Sequence, residues 1–230
     1  MIFIFVDETG EPGKRNIFSP GSTSYFGLAA ISIADRDYEA LRLLLAQIHW
    51  LRGTATTIDS TNHIWAFNFL RGLKELEAIG LISASALYID KKDYKGRYLT
   101  WSDYNIHKDE WRYYLRNYLL RHLLEYHFNS SIPNESVELI IDRIPLTESQ
   151  LENTRNYLNS QTLPKESVPF AIPYIQHLTL PASEYVGGLE VAHLLADVLK
   201  RRIQNNIPPL MEELSRFVRT KHFLGEEKVT

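Results

Sequence analysis

Three features of the sequence predict a layered α/β domain. An opening apolar run ends on two acids, four more β-branched or apolar runs are bounded by Gly, Pro, Asn or Ser, and helical patterns lie between them. The opening run Ile2-Phe3-Ile4-Phe5-Val6 lacks period-2 alternation, so both its faces are expected to be covered, as in a central strand. Asp7 and Glu8 follow, and Thr9-Gly10-Glu11-Pro12-Gly13 supplies turn chemistry at once. They fall where the strand leaves the sheet, the edge at which open α/β folds place ligand sites. A turn cap needs one acid and a covered strand avoids two, so the doublet points to function.

Strands are expected at 1–7, 24–33, 81–89, 136–142 and 170–178. The segment 37–50 carries Leu41, Leu44 and Leu45 at helical spacing, and the pattern over 63–79 stops on Gly80. A long amphipathic helix is expected over 101–128, a short one over 148–158, and another long one over 182–202. A last helix begins at Pro208-Pro209. The order is thus two strands, a helical insertion over about 35–80, three more strands alternating with helices, and a C-terminal helical extension over about 205–224. The whole chain, 1–230, reads as one domain with surface loops near 10–24 and 91–102 and a frayed tail from Gly225.

The 230 residues suffice for a full core without staples, and the absence of cysteine removes thiolate nucleophiles, zinc ribbons and redox motifs. No stretch approaches the roughly 18 apolar residues of a membrane span, and no basic leader opens the chain, so a cytoplasmic protein without membrane contact is expected. A formal net charge of −3 argues against coating nucleic acid by bulk attraction. Local basic stripes remain: Arg112, Arg116 and Arg121 share one helix with Tyr113, Tyr114 and Tyr118, and Lys200, Arg201 and Arg202 end another. In an acidic chain, solvated helix faces with i,i+4 pairs are the safer reading of both taken alone.

The run Val137-Glu138-Leu139-Ile140-Ile141-Asp142-Arg143-Ile144-Pro145 repeats the opening device of a strand ending on an acid. Neighbouring strands lie about 4.8 Å apart, so Asp7 and Asp142 on adjacent strands would repel without a cation, and Mg²⁺ or Mn²⁺ is the natural partner. On the helix from Val186, the side chains Val186, Glu190, His193 and Asp197 fall within roughly 60° of one another, a polar stripe on an otherwise apolar surface. The spacings Glu190–His193 and Asp197–Arg201 also suit ordinary helical pairing.

Phe5-Val6-Asp7-Glu8-Thr9-Gly10 resembles the N-terminal "hDESG" signature of domain of unknown function family 3800 (DUF3800). Ile140-Ile141-Asp142 and Gly188-Leu189-Glu190-Val191-Ala192-His193 are similar to that family's internal strand Asp and its C-terminal "GLQhAD" helix. The resemblance spans about residues 1–202. It implies a ribonuclease H-like fold, a mixed five-stranded sheet flanked by helices with a helical insertion, and a divalent-metal-dependent nuclease hydrolysing phosphodiester bonds of RNA or DNA. In that reading Asp7, Asp142, His193 and Glu190 hold Mg²⁺ or Mn²⁺, and His193 or Asp197 orients the attacking water. Glu8 joins the catalytic set or positions the turn. Arg112, Arg116, Lys200 and Arg201 contact the nucleic acid, and Trp50 and Trp111 are candidates to stack on bases.

Two departures from the family pattern bear on activity. His193 stands where the family commonly has an acid, and Gln47-Ile48-His49-Trp50 falls where an "E-h-K-W" segment is expected, so negative charge for Mg²⁺ is reduced and preference moves toward Mn²⁺. The alternative is a catalytically silent ribonuclease H-like module that binds nucleic acid or a protein partner, with mobile-element or anti-phage context implied by the resemblance. A further enzyme reading rests on Arg116-Asn117-Tyr118-Leu119-Leu120-Arg121-His122, which resembles the R-polar-x4-H motif of the metal-independent HEPN ribonucleases, an all-α family.

Overall fold

The computed structural model describes residues 1–10, 23–53, 60–61, 63–91, 108–128, 133–142, 147–160, 172–179 and 186–223, with the side chains of 108–111 and 186 outside the description. Most of the loops read at 10–24 and 91–102, the turn residues at 11–13 and 143–145, the helix starts at 101 and 182, the strand start at 170, the Trp111 side chain and the tail therefore lie outside it.

The described elements are β1 (Ile2–Gly10), β2 (Tyr25–Ala34), a 3-10 turn (Asp35–Asp37), α1 (Tyr38–Arg52), α2 (His63–Ala78), β3 (Ile82–Asp90), α3 (Lys108–His127), β4 (Val137–Ile141), α4 (Glu148–Asn159), β5 (Ile175–Thr179), α5 (Val186–Ile203), α6 (Pro209–Leu214) and β6 (Arg219–His222). Together the strands form one sheet of order β5-β4-β1-β2-β3-β6. β2 is antiparallel to both β1 and β3, while β4 runs parallel to β1, β5 to β4 and β6 to β3. The α/β class expected from the sequence is the class observed. No helix among the described residues is long and apolar enough to cross a membrane.

Strand β1 is central, and its lack of alternation has the expected cause. Phe3 and Phe5 enter a cluster with Leu41, Leu45, Phe69, Leu73 and Val191, from α1, α2 and α5. Ile4 and Val6 enter a second cluster with Leu115, Leu119 and Leu123 of α3. Helices therefore cover both faces, and each buried Phe, Ile or Val side chain contributes roughly 1.5–3 kcal/mol relative to exposure.

Among the described residues the sheet has six strands, one more than the sequence reads. The described part of the region expected to be a C-terminal helical extension, 205–224, holds the short α6 and then β6. Arg219-Thr220-Lys221-His222 has no apolar alternation to announce a strand; its pairing with β3, from Ser85↔Arg219 to Tyr88↔His222, fixes its conformation.

Two glycines bring chains together at the end of β1. Gly10 has φ +76°, and a Cβ there would lie 2.6 Å from the Tyr25 carbonyl oxygen. A Cβ on Gly188 would lie 2.4 Å from the Phe5 ring, so α5 crosses β1 at a distance only glycine allows. Helix α4 opens on a capping box, Thr147 accepting from the Gln150 N–H while the Gln150 side chain accepts from the Thr147 N–H.

Candidate functional site

The site is built from the strand ends upward. The ladder between β1 and β4 pairs Phe5 with Ile140 and Val6 with Ile141, and the Asp142 N–H then donates to the Val6 carbonyl at 3.0 Å. That bond carries the parallel register one step past β4, so Asp142 comes level with Asp7 on the adjacent strand. The negative charge of Asp142 is felt by both His193 and Glu8.

Alternation along β1 separates the two acids of the doublet. Asp7 continues the side of Phe3 and Phe5 and meets α5, where its Oδ2 lies 2.9 Å from His193 Nδ1. Its Oδ1 accepts the Glu8 N–H at 2.7 Å. Glu8 continues the side of Ile4 and Val6 and meets α3, where Arg116 donates to both its oxygens, Nη2 at 3.1 Å and Nε more closely. Burial raises the Glu8 pKa above the ordinary carboxylate value; Arg116 pulls it down, and Asp7 and Asp142 push it up. His193 is shifted up by its hydrogen bond to Asp7, against burial and with help from the charges of Asp7, Asp197 and Asp142. Its side chain is 42% exposed while that of Asp7 is 12% exposed, so the dyad presents the imidazole outward and keeps the carboxylate covered.

The polar stripe of α5 is present, but its side chains reach other elements. Glu190 Oε2 lies 2.9 Å from His49 Nε2 of α1, 141 residues away. Asp197 Oδ2 accepts from the Ser60 N–H and hydroxyl, both at 3.2 Å, and Arg201 Nε donates to the same Ser60 oxygen at 2.6 Å. Asp197 and Arg201 thus pin Ser60, between α1 and α2, against α5.

Among the residues read as nucleic-acid contacts, Arg116 engages Glu8 and Arg201 engages Ser60, Arg112 is part-buried on α3, and Lys200 is exposed. Arg121 and His122 both bond Glu125 and Arg116 bonds Glu8, so the charged members of the Arg116…His122 motif are engaged within the fold. Trp50 stands 80% exposed on α1. His49 and Ser60 are the site members that sequence reasoning missed. His49 carried a signal, standing in the segment where the resembled pattern has Lys, but nothing local linked it to Glu190.

Among the described residues, no three His, Asp or Glu side chains form a group that could hold a metal ion, and the reason is visible in the pairings. Asp7 is met by His193, Glu8 by Arg116, Glu190 by His49 and Asp197 by Ser60. Comparison with known families finds no matching family model, and no curated protein matches the chain.

Proposed function

We propose that the protein is a ribonuclease H-like nuclease that hydrolyses phosphodiester bonds with a divalent cation held at the ends of β1 and β4. The observation that carries this reading is the hydrogen bond between Asp7 and His193 with Asp142 level with Asp7 on the adjacent strand, so that three distant stretches of chain converge where β1 and β4 end. The strand order β5-β4-β1-β2-β3, with β2 alone antiparallel among its neighbours, supports the ribonuclease H-like part of it, with α1 and α2 as the insertion and β6 as an added edge strand.

For Mg²⁺ or Mn²⁺, Asp7 and Asp142 on adjacent strands supply hard oxygen, while Glu190 and His193 of α5 are engaged by His49 and Asp7. Asp7 and Asp142 would hold the ion, with imidazole now meeting Asp7 and Glu190 where a cation would otherwise balance them. The ion, when bound, supplies charge stabilisation for the phosphate and a more acidic water. Within the chain, Asp7 holds the His193 ring through Nδ1, so proton acceptance falls to Nε2, and the carboxylate strengthens that imidazole as a base. Arg116 neutralises Glu8 on the opposite side of the sheet, which leaves Asp7 and Asp142 as the acids of the site.

One observation favours a second reading, a silent module binding nucleic acid or a protein partner: the acids already have internal partners and no three-residue group is assembled among the described residues. Incubation of the purified chain with labelled single-stranded RNA and DNA separates the two. Cleavage in Mn²⁺ or Mg²⁺ that falls about 100-fold or more in EDTA is expected. Cleavage indifferent to EDTA would turn attention to the basic motif of α3, and binding without cleavage in any metal would establish the silent module.

A further inference from the structure

A cleft of about 580 Å³ opens at the end of the sheet remote from Asp7, where β2 ends and β1, β3 and β6 begin. Ile2 lines it, and Asp7 lies further along β1, roughly 17 Å away at the rise of a strand. Its volume falls within the range of small-molecule sites. Small residues leave the room: Ser32 and Ala34 close β2, Ser83 opens β3, and Gly80, at φ +76°, turns the chain between α2 and β3.

Most of the charges around the cleft are answered within the fold. Asp37 Oδ2 meets Arg36 Nε at 3.5 Å, and Glu135 takes the N-terminal ammonium at 2.8 Å. The His127 ring, bonded to the Ser32 and Ser85 hydroxyls, is neutral because burial lowers its pKa to about 3. Two opposite charges remain, and they come from opposite faces of the sheet. Arg219 of β6 donates from Nη2 to the His127 carbonyl of α3 and lies over the Tyr126 ring, so the guanidinium is held in place with no ion pair among the described residues. Glu77 belongs to α2, which packs on the other face through Phe69, Leu70 and Leu73, and it too has no partner among the described residues.

We propose that this cleft binds a small zwitterion of di- or tripeptide size, with its carboxylate received by Arg219, its ammonium by Glu77, and its polar groups by the Ser32 and Ser83 hydroxyls. A guanidinium fork matches a carboxylate through two parallel hydrogen bonds. A ligand of one charge sign would leave Arg219 or Glu77 unanswered, which is what selects a zwitterion. The site is separate from the carboxylates of β1 and β4 and does not depend on their chemistry.

Calorimetric titration of the full chain with trialanine, N-acetyl-trialanine and trialanine amide tests this. Trialanine is expected to bind with a Kd of about 1 mM or tighter, and each blocked peptide at least about 10-fold more weakly. Arg219→Gln should lose the distinction between trialanine and its amide, and Glu77→Gln that between trialanine and its N-acetyl form. Asp7→Asn should bind trialanine as wild type does. No trialanine binding up to about 10 mM, blocked peptides that bind as tightly as trialanine, or wild-type preferences in Arg219→Gln and Glu77→Gln would each overturn the proposal. Affinity lost in Asp7→Asn would put the peptide at the other end of the sheet and overturn it as well. Should Arg219→Gln fail to fold, Ser83→Leu decides by filling the cleft: lost binding supports the site, and wild-type affinity overturns it.

Discussion

Asp7→Asn is expected to abolish metal-supported cleavage, a loss of at least about 10³-fold, because several kcal/mol of charge stabilisation leave with one carboxylate. The substitution is nearly isosteric. Asn retains an oxygen to accept the Glu8 N–H, now bonded at 2.7 Å, and adds no volume beside Phe5, so the melting temperature should move by only a few degrees. Asp142→Asn should act in the same direction, since Asp142 stands level with Asp7 across the β1–β4 ladder. A folded Asp7→Asn protein with wild-type turnover would remove Asp7 from the chemistry.

Acid is expected to unfold the protein through His127. This histidine, in the last turn of α3, is 3% exposed, with Nδ1 2.7 Å from the Ser85 hydroxyl and Nε2 2.7 Å from the Ser32 hydroxyl. Burial, with a smaller push from the Arg219 charge, lowers its pKa to about 3. In the unfolded chain the same group takes a proton near pH 6.5. Between those values the unfolded state binds more protons than the folded state, so stability falls as pH drops below about 6.5 and keeps falling toward about pH 3. At about pH 5 the loss amounts to roughly 2 kcal/mol relative to neutral pH. Urea unfolding at the two pH values should show this loss in wild type and a loss smaller by about that amount in His127→Gln, whose baseline stability is itself lower because the hydroxyls of Ser32 and Ser85 lose their shared partner. Equal pH dependence in both proteins would show that His127 is not the group responsible.

Features written in local periodicity were legible in the sequence. The unalternating run of β1, the acid at the end of β4 and the stripe Glu190, His193, Asp197 each declare themselves within a few residues, and the sheet places all of them at or beside one edge. Pairings across the fold were not legible. Helical spacing suggested Glu190 with His193 and Asp197 with Arg201, whereas Glu190 reaches His49 and Asp197 reaches Ser60, because α5 is buried and its polar groups must find partners on whatever packs against them. Arg116 shows the same limit: on its helix it reads as one member of a basic stripe, and only the alternation of β1 turns Glu8 toward it. Strand β6 was hidden for a different reason, since a polar tetrapeptide takes its conformation from the open edge of β3 rather than from its own composition.

The account stands on carboxylates from β1 and β4 sharing one divalent cation. Anomalous diffraction from crystals soaked in Mn²⁺ addresses that directly. A single strong peak between the Asp7 and Asp142 carboxylates, with His193 Nδ1 still bonded to Asp7, is the result predicted. Saturating Mn²⁺ with no peak at the ends of these strands would contradict it.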